Sequence, residues 1–180
     1  ANLFAHLGNY KVIVLKNYSP NDYINAISIC EANKIDVIII DGLSAIWEYL
    51  LMYNSSLGGN SFVSWSKTGA IHEKFIQHIL QTDKFIICTV RKKQSYVLKN
   101  ENGKMVPEKV GLRNIQRDSL EYAFSLSFDL NMQHFASISK DRTMLFAGKS
   151  EFIITEDTGR KISEWCNSNI KVDDVRNEIT

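Results

Sequence analysis

The run Asp36-Val37-Ile38-Ile39-Ile40-Asp41-Gly42-Leu43-Ser44 constrains this chain more than any other stretch. Four apolar residues, three of them consecutive isoleucines, lead straight into a carboxylate. A β-branched run without polar alternation predicts a strand buried on both faces of a parallel sheet. An aspartate at the end of such a strand lies at the carboxyl edge of the sheet, where open α/β folds bind their ligands.

Asp41 therefore has two readings. It can hold the Mg2+ of a nucleotide, with Ser44 close by, as the carboxylate at the end of a buried strand does in phosphoryl-transfer enzymes. It can equally cap the helix that begins at Leu43. The glycine-rich phosphate loop G-x-x-x-x-G-K-[ST] is not found in this sequence. Gly148-Lys149-Ser150 resembles its tail, but Thr143 stands where the first glycine belongs, so the stretch is read as a turn.

The 180 residues predict one domain over 1–170 and a charged tail over 171–180. Net charge is +1, so whole-chain charge does not select a partner. Cys30, Cys88 and Cys166 are far apart and set among apolar residues, which predicts buried free thiols in a reducing cytosol and a cytoplasmic protein. No apolar run reaches the length of a membrane span. The four histidines, His6, His72, His78 and His134, lack metal-ligand spacing, and no serine sits in a G-x-S-x-G elbow.

The order of elements is legible from periodicity. Lys11–Leu15 reads as a strand. Ser19-Pro20-Asn21-Asp22 supplies an N-cap, a first-turn proline and an acidic first turn for a helix reaching Asn33. After the Asp41 strand come a helix over 43–53, a loop over 55–64 containing Gly58-Gly59, and a helix over 68–81. A second buried strand over 84–90 follows. This β-α-β-α-β order predicts an α/β fold with a mostly parallel sheet flanked by helices. Beyond it, 95–98 and 104–106 pair as a hairpin around Asn100-Glu101-Asn102-Gly103, strands 125–130 and 134–139 are antiparallel, and a last helix over 156–166 turns Ile162 and Trp165 to the core.

Residues 91–118 are basic. Arg91, Lys92, Lys93, Lys99, Lys104, Lys109, Arg113 and Arg117 give eight positive charges against Glu101, Glu108 and Asp118, a local excess of five. Such a stretch can neutralise phosphates, and Tyr96 can stack on a base. It can also be a solvated hairpin whose charges protect its edges. Thr89 and Arg91 leave the second buried strand. They either sense a γ-phosphate near Asp41 or simply end the strand, with Arg91 extending to solvent. Lys140-Asp141-Arg142 is either a pair of cations reaching a neighbouring molecule or a solvated turn.

In this order and spacing, several short runs resemble the RecA-like P-loop ATPases of phage and mobile elements, described as AAA or nucleotide-binding proteins. They are 19–26, 36–47, Thr89-Val90-Arg91 through Val97, Val110-Gly111-Leu112, Gln116-Arg117-Asp118, Phe128-Asp129-Leu130, Ser139-Lys140-Asp141-Arg142-Thr143 and Thr155-Glu156 with Thr158-Gly159. The resemblance spans about Phe4 to Trp165. It implies an ATP- and Mg2+-dependent protein that acts on DNA, single-stranded by preference, as a homo-oligomer in recombination or replication. It makes Asp41 the metal carboxylate, Thr89 to Gln94 the sensor region, and Lys140 and Arg142 fingers that reach the next subunit's nucleotide. It also places the DNA-binding loop at 91–118. The family's phosphate loop, first strand, first helix and water-activating acid would precede Ala1. The chain would then be the C-terminal part of such a core, with apolar strand edges left bare. The alternative from the residues alone is a nucleic-acid-binding or assembly module without hydrolysis.

Overall fold

The computed structural model describes residue 6 and residues 8–101, 104–117 and 120–168. The Asn102-Gly103 turn, Asp118, the charged tail over 171–180 and Phe4, where the resemblance starts, lie outside the described residues. The chain is mixed α/β and divides between Leu120 and Glu121 into two compact units, where the sequence suggested one domain.

The first unit contains helix α1 (Pro20–Ala32), strand β1 (Val37–Ile40), helices α2 (Ser44–Ser56) and α3 (Ser61–Gln81), and strands β2 (Phe85–Cys88), β3 (Lys92–Glu101) and β4 (Lys104–Asn114). α1 begins as its sequence signals. Ser19 caps it by accepting the Asp22 N–H at 3.2 Å, and Pro20 occupies the first turn. Tyr23 and Ile27 of α1 face α3, where the Tyr23 and Phe75 rings meet edge to face at 6.0 Å. Leu43, Ile46 and Leu50 complete this core without solvent exposure.

β1 and β2 pair in parallel, Val37 with Phe85 through Ile40 with Cys88. The expectation of burial on both faces is corrected. Ile38 and Ile40 are 8% and 7% exposed, whereas Val37 and Ile39 are 50% and 66% exposed. Only one side of this two-stranded sheet is covered among the described residues, so the isoleucine run alternates in burial although it does not alternate in sequence. Residues 11–15 form no strand. Val12, Ile13 and Val14 remain exposed, since an apolar run becomes a strand only where a neighbour accepts its hydrogen bonds.

The loop expected over 55–64 shrinks to 57–60. Gly58 and Gly59 take φ of +59° and +71°, and Asn60 caps α3 by accepting the Phe62 N–H at 2.8 Å. β3 and β4 form an antiparallel hairpin far longer than expected, with a bulge between Ser95 and Tyr96.

In the second unit, a three-stranded antiparallel sheet comprises β5 (Leu126–Leu130), β6 (Phe135–Asp141) and β7 (Phe152–Ile153), followed by helix α4 (Glu156–Asn167). A short 3-10 helix, Leu120–Ala123, leads into it. Phe128, Phe146 and Phe152 form an aromatic cluster with centroid separations of 5.2 to 5.6 Å. Gly148-Lys149-Ser150 is a turn, as read from sequence. Gly148 has φ +72°, and Lys149 Nζ lies 5.4 Å from the Phe146 and Phe152 ring centroids. Two expectations fail. Trp165 is 43% exposed on α4 rather than turned inward, and the Cys166 thiol is exposed, whereas Cys30 and Cys88 are partly covered.

Candidate functional site

The parallel register brings the ends of β1 and β2 together, and with them Asp41 and Thr89. The Thr89 hydroxyl donates to Asp41 Oδ1 at 2.8 Å and accepts the Gly42 N–H at 2.8 Å. The Thr89 carbonyl accepts the Leu43 N–H at 2.9 Å, and its own N–H donates to the Ile40 carbonyl at 3.0 Å. One threonine thereby fixes the whole turn from β1 into α2. Gly42 permits this turn by adopting φ of +94°, where a side chain would be strained. Asp41 stays exposed at the sheet edge. It does not cap α2, whose start shows no side-chain capping bond.

Ser44 and Arg91 are also brought to this edge, in other roles than expected. Ser44 is fully buried and its hydroxyl accepts the Arg91 N–H at 2.9 Å, so it pins the chain after β2. The Arg91 guanidinium donates to Glu48 Oε1 on α2 at 2.7 Å. Glu48 was not anticipated, because no spacing rule links residues this far apart.

Mg2+ prefers six oxygens in octahedral array and commonly takes one or two carboxylates with phosphates and water. Among the described residues no group of three acids, histidines or cysteines could hold a metal. Asp41 is a single exposed carboxylate with one hydroxyl beside it. That donor set fits a Mg2+ carried in by a nucleotide.

Beneath the turn lies a buried polar layer. The Gln116 side chain, 4% exposed, donates from Nε2 to the Leu43 carbonyl at 3.2 Å. Its Oε1 accepts the Arg117 N–H at 2.8 Å and lies 3.2 Å from His72 Nε2. Because an amide oxygen only accepts, Nε2 of His72 carries the proton. Burial pulls the His72 pKa down, the bond to Gln116 opposes this without overcoming it, and Arg117 pulls the same way as burial. The ring is therefore neutral near pH 7, and Trp47 packs edge-on against it at 6.0 Å. His72 thus keeps the structural role its sequence context suggested. Gln116 went unassigned. The i, i+4 stripe Ser64, Thr68 and His72 on α3 was the available signal for a buried polar seam.

The basic segment becomes the β3–β4 arm. All of β4 from Lys104 to Arg113 is exposed, and the arm is on the order of 30 Å long at strand rise. Its register sorts the predicted nucleic-acid residues onto two faces. Tyr96 stands opposite Lys109, sharing a face with Lys92, Leu98, Met105, Pro107 and Leu112. Lys93, Lys99, Lys104 and Arg113 lie on the other face, where Lys99 pairs with Glu108 at 3.6 Å. Arg117 is not on the arm. Its Nη1 lies 3.4 Å from where a Cβ on Gly69 of α3 would stand.

Lys140 and Arg142 belong to the second unit. Lys140 Nζ donates to the Glu121 and Tyr122 carbonyls at 2.8 and 2.9 Å and lies 5.6 Å from the Tyr122 ring centroid. Desolvation and the neighbouring Arg142 lower its pKa. Arg142 Nη2 reaches the same Tyr122 carbonyl at 3.5 Å. Both cations thus sit at the end of the 3-10 helix. Asp141 between them accepts from the Thr143 N–H and hydroxyl at 2.7 and 2.6 Å and from the Phe146 N–H at 3.0 Å.

A shallow pocket of about 320 Å3 opens elsewhere in the first unit, between Ser19 and Pro20 of α1 and Tyr49, Tyr53 and Lys74; it does not include Asp41. No helix among the described residues is long and apolar enough to cross a membrane. No protein-family model, curated protein or solved structure matches the chain.

Proposed function

We propose that this chain is the C-terminal part of a RecA-like ATP-binding and ATP-hydrolysing protein that acts on single-stranded DNA as a homo-oligomer. The observation that carries this reading is the parallel pairing of β1 with β2, which hydrogen-bonds Thr89 to Asp41 at the carboxyl edge of the sheet. The basic arm starts three residues further on.

In this reading Asp41 would hold a nucleotide-borne Mg2+, and Thr89 holds the carboxylate in one orientation. The ion would supply neutralisation of phosphate charge. Arg91 responds to the γ-phosphate by exchanging Glu48 for it. Lys140 and Arg142 act on a neighbouring copy after leaving the carbonyls they now occupy. The bare outer face of β1 supports a further layer packed over this side of the sheet.

Isothermal titration of ATP with and without Mg2+ tests the assignment. Mg2+-dependent binding that weakens about tenfold or more in Asp41→Asn is expected, from loss of a charged ligand; binding indifferent to that substitution refutes it. The second reading is a nucleic-acid module without hydrolysis, favoured by the solvent-projecting arm. It predicts oligonucleotide binding that falls steeply with salt, a slope that flattens when Lys92 and Lys93 become alanine. Under that reading ATP does not bind.

A further inference from the structure

Away from Asp41, the first unit has a pocket whose polar ends are unspent. It holds about 320 Å3, at the small end of the range for ligand sites, between the start of α1 and helices α2 and α3. Tyr49 and Tyr53, four residues apart on α2, line one side. Ile71 and Lys74, three apart on α3, line another. Those spacings put each pair on one face of its helix. Pro20, which is fully buried, and Asn21 close the remaining side.

The charges around the pocket decide what it can take. Lys74 is the charged residue of the lining, and it forms no ion pair among the described residues. The acids beside the lining residues in sequence are engaged elsewhere. Asp22 accepts the Ser19 hydroxyl, Glu48 accepts from Arg91 at 2.7 Å, and Glu73 accepts from Gln77 at 2.9 Å. The hydroxyls of Tyr49 and Tyr53 and the Asn21 amide make no hydrogen bond among the described residues. The pocket therefore offers a cation without a counter-ion, neutral polar ends beside it, and apolar surface from Pro20, Ile71 and the two tyrosine rings. A lone ammonium is a point charge that balances a single negative charge, and aromatic faces favour a flat partner. The second charge of a phosphate monoester would stay unbalanced here.

We infer that this pocket binds a small aromatic carboxylate, with its ring against Pro20, Ile71 and the tyrosines and its carboxylate on Lys74 and the tyrosine hydroxyls. The site shares no residue with the Asp41 edge or the basic arm, so it stands or falls apart from the ATP and nucleic-acid readings.

The test titrates the full 15N-labelled chain with phenylacetate. Its neutral counterpart of the same shape, phenylacetamide, and phenyl phosphate serve as comparisons. The amides of Asn21, Tyr53 and Lys74 should shift together and saturate with a Kd on the order of 1 mM, as suits so small a ligand. Phenylacetamide should bind about tenfold more weakly, since it lacks the charge that Lys74 meets. Lys74→Met, a change at an exposed position, should weaken phenylacetate about tenfold and abolish its advantage over the amide. The double change Tyr49→Phe and Tyr53→Phe keeps both rings and should weaken it about threefold through lost hydrogen bonds.

Shifts that do not saturate, or that spread evenly over the surface, overturn the site. Equal binding of phenylacetate and phenylacetamide, or unchanged affinity in Lys74→Met, overturns the role of the cation. Phenyl phosphate binding about tenfold more tightly than phenylacetate overturns the choice of a carboxylate.

Discussion

The β3–β4 arm and the β5–β6 pair are both antiparallel ribbons with a bulge and basic residues, yet they solve opposite problems. The β5–β6 pair turns Phe128 onto Phe146 and Phe152, and its cations, Lys140 and Arg142, are bound to carbonyls of its own unit. Among the described residues the arm has no such cluster. Tyr96, Leu98, Met105 and Leu112 are each more than half exposed. Two strands alone are marginal in water, so an apolar ribbon face without a layer over it costs stability wherever it is kept. One ribbon is closed on itself, whereas the other faces outward, which is what a surface that meets a partner requires.

Three measurements sharpen or break this contrast. The largest effect is expected in the closed ribbon. Phe146 is 1% exposed at the centre of its cluster, so Phe146→Ala should cost the second unit about 3–5 kcal/mol. Urea unfolding read from amide exchange of Ser137 checks this, and a loss under 1 kcal/mol on the order of a surface change would show that the cluster is not its core.

The second effect is acid sensitivity at Asp141. Burial raises its pKa, but hydrogen bonds from Thr143 and Phe146 outweigh this and hold it below the ordinary carboxylate value of 3.8. A carboxyl depressed in the folded state stabilises fully above its unfolded value. That contribution is lost as pH falls below 3.8 through the lower folded value. The melting temperature of the second unit should therefore drop in that window, and Asp141→Asn should flatten the drop. A profile identical in both proteins would show that these bonds do not hold the turn.

The smallest effect is expected on the arm. Tyr96→Ala should change stability by no more than about 0.5 kcal/mol, as for other exposed positions, yet weaken oligonucleotide binding about tenfold through lost stacking. If stability falls instead and binding does not, the arm is packed against something within the molecule and the contrast collapses.

Local signals in the sequence were read well where the cause was local. The Ser19-Pro20 cap and the glycine turn at Gly148 both appear in the structure. Lys11–Leu15 and the outer face of β1 were misread because burial depends on what covers a strand, and no periodicity encodes that. Charge counting overstated the arm. Arg91 is engaged by Glu48 of α2, and Arg117 follows β4 with its guanidinium beside Gly69 of α3. The roles of Gln116 and Glu48 were not legible because both act across tens of residues of sequence.

The uncovered side of β1 governs how this protein behaves in a tube. Val37 and Ile39 meet solvent beside Ile87 of β2, an apolar strip against which another molecule can settle. The apparent molar mass from light scattering should therefore rise with protein concentration, and Ile39→Lys should suppress that rise more effectively than any change on the highly charged α4.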